Sequence, residues 1–143
     1  MKIVVADASA IVEYLLRTER ATSIESVITG VDSDLHIPAL CDVEVCSALR
    51  RALLENRISE ERATEALADY LDLPLSRHGH LMLIERVLQL RRNFSAYDAT
   101  YVALAEYLKA TFVTEDRSLA RAVRKFLPKW DVRNLISRRL NRD

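Results

Sequence analysis

The segment Lys2-Ile3-Val4-Val5-Ala6-Asp7-Ala8-Ser9 opens the chain with a short β-rich run that ends in an acidic residue. Apolar residues then recur at helical spacing, at Ile11, Val12, Leu15 and Leu16. The pattern predicts a strand, a tight turn at Asp7 and a helix. Because functional groups collect beyond the carboxyl ends of parallel strands, Asp7 is a candidate site residue if the sheet is parallel.

Strand-like and helix-like segments alternate along the rest of the chain. Strands are predicted at 35–38, 73–77 and 111–114 and near 130–132. Helices are predicted over about 20–30, 40–56, from Ser59 onward, 80–92, from Ala96 onward and 117–127. The helix at 80–92 is apolar on more than half of its circumference and is expected to be well buried. The alternation favours parallel βαβ units, hence an α/β fold whose sheet is covered by helices on both faces.

Size and composition are typical of one cytoplasmic domain. The chain has 143 residues, half of them hydrophobic, with only 2 Gly and 3 Pro, so we expect a single domain over 1–143. Asp7 and Glu13 interrupt the apolar start, and no run approaches the ~20 apolar residues of a membrane span. Cys41 and Cys46 are expected to be buried, reduced thiols. We therefore expect no membrane association.

Charge is distributed unevenly although the net charge is zero. Residues 1–72 hold 7 Lys and Arg against 14 Asp and Glu, whereas residues 73–143 hold 14 against 7. A basic half indicates a polyanionic partner such as nucleic acid, and Arg121 and Arg124 contribute to its densest part. A solvated helix face is the alternative interpretation.

Four acidic residues stand at or near predicted helix starts. Asp7 and Asp116 follow strands, and Glu44 lies about one turn into the helix after Pro38. Asp98 begins a helix whose preceding strand is not evident. Each acid alone is better explained as a helix cap, which is stabilising by about 0.3–1 kcal/mol.

Taken together, the acids indicate a metal site. Carboxylates brought into one place repel each other unless a cation compensates them. A site with only oxygen ligands selects Mg²⁺ or Mn²⁺ rather than zinc, and Mg²⁺ commonly completes its shell with phosphate oxygens. The three histidines lack metal-ligand spacing, and the chain contains no glycine-rich phosphate loop, G-x-S-x-G or C-x-x-C. The pattern therefore favours phosphodiester chemistry.

The ordered motifs resemble the PIN domain from Val4 to about Val132. Asp7-Ala8-Ser9 resembles the D-x-S/T that opens the family, and Glu44 within 42–51 resembles its helix-borne glutamate. Tyr97-Asp98-Ala99 resembles the third motif, and Thr114-Glu115-Asp116 resembles the closing T-x-D. The resemblance implies a three-layer α/β/α fold with a mainly parallel sheet. It also implies an Mg²⁺- or Mn²⁺-dependent endoribonuclease acting on single-stranded or looped RNA.

The same resemblance assigns roles to individual residues. Asp7, Glu44 and Asp98 would be the principal metal ligands, with Asp116 ligating directly or through water. The hydroxyls of Ser9 and Thr114 would orient these ligands, although Ser9 is equally well explained as a helix cap.

For short chains of this kind the resemblance implies a VapC-type toxin inhibited by a VapB-type antitoxin. We also expect a homodimer and an RNA-facing surface that includes Arg117, Arg121 and Arg124. Tyr14 and Leu16 are candidates for a partner-binding face, with packing in the core as the alternative.

Two features depart from the family pattern. Lys109-Ala110 stands where a glycine often precedes the last motif strand, and Glu115 is an additional acid beside Asp116. By strand alternation Glu115 is expected to face away from Thr114 and Asp116 and to have no metal role.

Two other functions remain open from the residues alone. One is a haloacid-dehalogenase-like phosphohydrolase with Asp7 as nucleophile, but that family requires D-x-D and Ser9 occupies the second position. The other is a non-catalytic interaction module in which the acids only cap helices.

Overall fold

The computed structural model describes residues 2–16, 21–127 and 132–134. The strands are β1 (Lys2–Ala6), β2 (Ser33–Pro38), β3 (Leu75–His78), β4 (Thr111–Thr114) and β5 (Val132–Asn134). The helices are α1 (Ala8–Leu15), α2 (Ala21–Ile28), α3 (Leu40–Leu54), α4 (Glu60–Asp72), α5 (Ile84–Gln89), α6 (Ala96–Leu108) and α7 (Arg117–Phe126), with a 3₁₀ turn at Leu81–Leu83. The last strand lies slightly later than predicted, and Trp130 falls outside the described residues.

The sheet is parallel throughout, with strand order β3-β2-β1-β4-β5. Val4 of β1 pairs with Leu35 of β2 on one side and with Thr111 of β4 on the other. From β1 the sheet therefore extends on one side through β2 to β3, and on the other side through β4 to β5. The carboxyl ends of β1 and β4 form the switch point of this order, where a crevice opens in such sheets.

Helices pack in two groups around the sheet. Helix α1 contacts α2, α3 and α4, whereas α5 packs on α6, which lies across β1, β2 and β4. This is the three-layer α/β/α arrangement that the sequence predicts. Within the described residues, no helix is both long enough and apolar enough to cross a membrane.

The core is centred on β1, β4 and α6. All four residues of β4 are buried, as are the seven consecutive residues 99–105 of α6. Three of those seven are alanines, at positions 99, 103 and 105. Small side chains let the helix lie close to the sheet.

The prediction of a well-buried helix over 80–92 is wrong. The segment forms a 3₁₀ turn and a helix of only 6 residues. Leu83, Val87 and Leu90 reach the core, but four apolar side chains of the segment are exposed: Leu81, Met82, Ile84 and Leu88. Among the described elements α6 is the main neighbour of the segment, so one narrow face is covered and much of its apolar circumference remains on the surface.

The structure corrects one smaller expectation about burial, for Cys46, and decides between two interpretations of Tyr14 and Leu16. Cys41 is buried, but Cys46 is exposed because it lies on the outer face of α3. Tyr14 and Leu16 are partly buried and pack against the core, so the structure favours the core-packing interpretation for both.

Candidate active site

Asp7 ends β1 and begins α1, and its carboxylate is held by three hydrogen bonds. Oδ1 accepts from the Ala10 amide at 3.1 Å and from the Ser9 hydroxyl at 2.6 Å. Oδ2 accepts from the Thr114 hydroxyl at 2.5 Å. The side chain is only 6% exposed. Asp7 is therefore both the N-cap of α1 and a buried acid with a fixed orientation.

Ser9 and Thr114 join the turn after β1 to the turn after β4. The Glu115 amide donates to Ser9 Oγ at 3.0 Å, and the Asp116 amide donates to Thr114 Oγ1 at 3.0 Å. Ser9 lies inside α1, so the cap interpretation of Ser9 is not supported. Both hydroxyls instead connect the carboxylate of Asp7 to the backbone that carries Asp116.

Asp116 is exposed at the N-terminus of α7 and accepts a hydrogen bond from the Leu119 amide at 3.1 Å. Like Asp7, it has a helix-capping role that does not require a metal. The two caps differ in surroundings, because Asp7 is enclosed and Asp116 is open to solvent. A ligand approaching from solvent therefore reaches Asp116 first.

Glu44 lies in the second turn of α3 and extends toward the Tyr101 hydroxyl of α6. Burial raises the pKa of Glu44, the Tyr101 hydroxyl lowers it, and Asp98 raises it further. Within the described residues, neither Glu44 Oε1 nor the Tyr101 hydroxyl has a hydrogen-bond partner of good geometry. A buried carboxylate oxygen without a donor is the kind of group that a cation satisfies.

Asp98, which the sequence could not place, is the electrostatic centre of the group. It lies half-buried in the first turn of α6, where Ser95 caps the helix by accepting from the Asp98 amide at 3.1 Å. Burial raises the pKa of Asp98, and the charge of Asp116 raises it further. Asp98 in turn raises the pKa values of Asp7 and Glu44. The four acids therefore form one mutually repelling cluster.

Asp7 carries the strongest pKa perturbation among these acids. Burial raises its pKa from 3.8 to about 6, although the hydrogen bonds from Ser9, Thr114 and Ala10 oppose this shift. The charge of Asp98 adds to the increase. Keeping all four groups ionised at neutral pH is unfavourable without a compensating cation.

The donor set fits a hard divalent cation better than zinc. The candidate ligands are carboxylate oxygens, as Mg²⁺ and Mn²⁺ prefer. In the part of the chain that the structure describes, no three acidic, His or Cys side chains converge on one point closely enough to hold an ion as they stand. Mg²⁺ usually takes only one or two carboxylates from the protein and keeps several waters.

A cavity of about 430 Å³ opens beside the acid cluster between α1, α3 and the turn after β4. Its lining includes Ser9, Glu44, Arg51, Glu115 and Asp116. The expectation that Glu115 faces away from the site is therefore not met: Glu115 is buried and lines the same cavity as Asp116. Strand alternation failed here because β4 ends at Thr114 and Glu115 belongs to the turn.

The predicted RNA-facing arginines lie on one exposed face of α7. Arg117, Arg121 and Arg124 are spaced four and three residues apart, and all three are exposed. Arg117 directly follows Asp116, so the basic face begins at the acid cluster. The sequence analysis did not identify two further residues of the site, Tyr101 and Arg51. Tyr101 lies three residues after Asp98 on the same face of α6, and Arg51 lies seven residues after Glu44 on the same face of α3.

The histidines lie away from this centre. His36 of β2 and His78 of β3 are joined through their ring nitrogens, Nδ1 to Nε2, at 2.7 Å, whereas His80 is exposed. His78 itself is half-buried. Neither residue lines the cavity of the acid cluster.

Comparison with known proteins finds similarity over most of the chain. The family model described as "PIN domain" matches residues 4–125. Ribonuclease VapC1 of Mycobacterium tuberculosis is 44% identical over 121 residues, covering 82% of this chain and 89% of the relative. Ribonuclease VapC9 of the same organism is 38% identical over 117 residues, covering 82% and 88%. The solved structure of VapBC2 from Rickettsia felis, bound to a DNA fragment of its promoter, superposes with a TM-score of 0.66 at 13% identity, covering 92% and 98%.

Proposed function

Because the chain belongs to the PIN domain family, we propose that it is the VapC-type toxin of a type II toxin–antitoxin pair and a metal-dependent endoribonuclease. The observation that carries this proposal is the electrostatic coupling of Asp98 to Asp7, Glu44 and Asp116 near the switch point of the parallel sheet. The curated relatives at 38–44% identity are named ribonucleases. Hydrolysis of RNA phosphodiester bonds is the chemistry that an acidic Mg²⁺ or Mn²⁺ site supports.

The proposed ligands are Asp7, Glu44, Asp98 and Asp116, with Asp116 binding directly or through water. A bound Mg²⁺ or Mn²⁺ would activate water and neutralise charge on the phosphate. Glu44 supplies a buried oxygen that has no hydrogen bond of good geometry among the described residues. Asp116 supplies the solvent-facing side of the site, where the substrate enters.

Ser9 and Thr114 are proposed to orient the Asp7 carboxylate. Each hydroxyl donates to a different oxygen of Asp7, which fixes the plane of the carboxylate. Because Oδ1 also accepts from the Ala10 amide, the lone pair left for the cation is on Oδ2. The same arrangement makes Asp7 a poor covalent nucleophile, because both of its oxygens accept hydrogen bonds and the side chain is 6% exposed. The structure thus disfavours the haloacid-dehalogenase-like alternative.

RNA is proposed to cross the acid cluster and continue along α7. Arg117, Arg121 and Arg124 span about 10 Å of helix at 1.5 Å per residue. This exposed basic row offers contacts to successive backbone phosphates, which position a strand without reading its sequence. Because the substrate is cellular RNA, we propose that the protein acts in the cytoplasm.

Two protein partners are proposed. The first is a VapB-type antitoxin, in line with the VapBC2 neighbour, whose basic side chain would compensate the acid cluster in place of the cation. The second is another copy of this chain, held through the exposed apolar side chains at Leu81, Met82, Ile84 and Leu88. In sedimentation experiments, Leu88→Glu should convert a dimer to a monomer; a wild-type monomer would refute the dimer.

The function is tested by RNA cleavage with purified protein and Mg²⁺. Wild type should cleave a mixed-sequence single-stranded RNA and lose this activity on addition of EDTA. Asp98→Asn and Asp7→Ala should abolish cleavage and relieve growth inhibition on expression. Asp72→Asn is the matched control, since Asp72 is exposed at the end of α4, away from the acid cluster. Intact RNA with wild type, or full cleavage with both site variants, would refute the function.

A further inference from the structure

Arg51 shares a helix face and a cavity with the acid cluster. It lies on α3 seven residues after Glu44, two helical turns along the same face. Both residues line the cavity of about 430 Å³ that also reaches Asp116. Arg50, its neighbour in sequence, is exposed and does not line this cavity. Of this pair, Arg51 alone faces the site.

The charge of Arg51 is not used by the described part of the protein. Its side chain is exposed and forms neither an ion pair nor a hydrogen bond with any described residue. Other arginines with acids nearby are paired, including Arg77 with Asp42 at 2.9 Å and Arg86 with Glu106 at 3.1 Å. A guanidinium in a cavity lined by carboxylates, yet paired with none of them, is available to an external anion.

The surroundings of Arg51 would otherwise repel RNA. Glu13, Glu44, Glu115 and Asp116 line the same cavity, and among the described residues of its lining Arg51 is the one basic residue. The basic face of α7 begins beyond Asp116, on the other side of the acid cluster. A polyanion that crosses the cluster therefore needs a cation on the α3 side as well.

We infer that Arg51 binds a backbone phosphate of the RNA next to the phosphate that is cleaved, opposite the row of arginines on α7. This inference rests on the proposed ribonuclease function and adds a substrate contact to it. About 10 Å separates Glu44 and Arg51 along the axis of α3, so the guanidinium reaches a neighbouring phosphate rather than the one at the carboxylates. Arginine suits this role because its planar donors grip phosphate oxygens in pairs.

The kinetic test compares Arg51→Ala with its matched control Arg50→Ala on a mixed-sequence single-stranded RNA with Mg²⁺. Loss of one charged hydrogen-bonded contact should raise KM about tenfold in Arg51→Ala. The contact forms in both the ground state and the transition state, so kcat should stay within about twofold of wild type. Arg51→Lys should restore part of the loss, and Arg50→Ala should match wild type. A fall in kcat at unchanged KM would overturn the inference.

The binding test needs no cleavage. Fluorescence anisotropy of a labelled single-stranded RNA is measured over a range of salt concentrations, with Asp98→Asn as the background for both arginine variants. Removing one phosphate contact should reduce the slope of log K against log salt by about 0.7 in Arg51→Ala. An unchanged slope would show that Arg51 is only a solvated surface charge. If wild type does not cleave RNA but Arg51→Ala still reduces the slope, the proposed function is refuted and the phosphate contact is supported.

Discussion

The Thr114 hydroxyl donates a 2.5 Å hydrogen bond to Oδ2 of Asp7, a residue 107 positions earlier in the chain. The bond links the carboxyl ends of the neighbouring strands β1 and β4, the point at which the strand order reverses. Ser9 donates to the other oxygen of the same carboxylate at 2.6 Å. The orientation of Asp7 is therefore set jointly by the first and last motifs of the site.

Removal of the Thr114 hydroxyl should weaken metal binding. In Thr114→Val the carboxylate of Asp7 loses one of its fixed donors, and loss of such a supporting contact typically costs 10–100-fold in metal affinity. Titration calorimetry with Mn²⁺ measures the change. Thr100→Val is the control, because the Thr100 hydroxyl is also buried but donates to the Ala96 carbonyl of its own helix. Equal affinity for Mn²⁺ in the two variants would show that Thr114 does not support the site.

The buried charge of Asp7 should destabilise the metal-free protein at neutral pH. Burial raises its folded-state pKa from 3.8 to about 6, so its favourable contribution is complete below pH ~4 and is lost as the pH rises through 6. A shift of this size corresponds to as much as about 3 kcal/mol. Asp7→Asn should therefore melt above wild type at pH 7.5 in EDTA.

The Asp7→Asn comparison contains its own control. The two proteins should melt at similar temperatures at pH ~3, below both 3.8 and 6, where the Asp7 carboxyl is largely protonated in both the folded and the unfolded wild type. Because the measurement is a difference, the titration of His78, whose pKa is lowered by burial, affects both proteins alike. A difference in melting temperature that does not change with pH would contradict the assignment.

Tyr101→Phe should impair metal binding more than it impairs folding. The ring is almost fully buried, and its hydroxyl has no partner of good geometry among the described residues, so Phe preserves the packing at little cost in stability. The hydroxyl lies beside Glu44 and lowers the pKa of that carboxyl. Its removal should weaken Mn²⁺ binding and raise the pH at which cleavage begins. A lower melting temperature with unchanged affinity for Mn²⁺ would mean that Tyr101 serves packing only.

Lys109→Gly should stabilise the protein. Lys109 ends α6 in the left-handed conformation, with φ 52° and ψ 42°, where a residue with a Cβ is strained and glycine is favoured. The gain should be about 0.5–1 kcal/mol, or roughly 2–4 °C in melting temperature. Lys109→Ala removes the same charge but keeps the strain, so it should not stabilise. If both variants gave the same melting temperature, backbone strain would not be the cause.

Those parts of the site that follow directly from strand ends were predictable from sequence. Asp7 comes immediately after β1, and Asp116 comes shortly after β4. Parallel strands bring their carboxyl ends to one edge of the sheet. Asp98 was different, because an entire helix has to cross the sheet before its position is defined. Its placement came from the family resemblance, and the structure shows the physical reason in the alanine-rich, buried surface of α6.

Features that depend on what surrounds an element could not be predicted. The apolar pattern at 80–92 indicated burial, but a sequence pattern does not show how many neighbours a short helix has. Glu115 was assigned by strand alternation, although the strand had already ended at Thr114. The position of Lys109 was recognised as unusual for the family, while the left-handed backbone that explains the preference for glycine is visible only in the structure.

The central claim is that Asp7, Glu44, Asp98 and Asp116 form one metal centre. Its most direct test is to treat wild type and Asp98→Asn with EDTA, remove the EDTA, and measure Mn²⁺ binding to each protein by titration calorimetry at neutral pH. Asp98 is the residue that couples electrostatically to the other three acids. The account predicts saturable binding to wild type and at least about tenfold weaker binding to Asp98→Asn. No saturable binding to wild type, or equal affinity in both proteins, would contradict it.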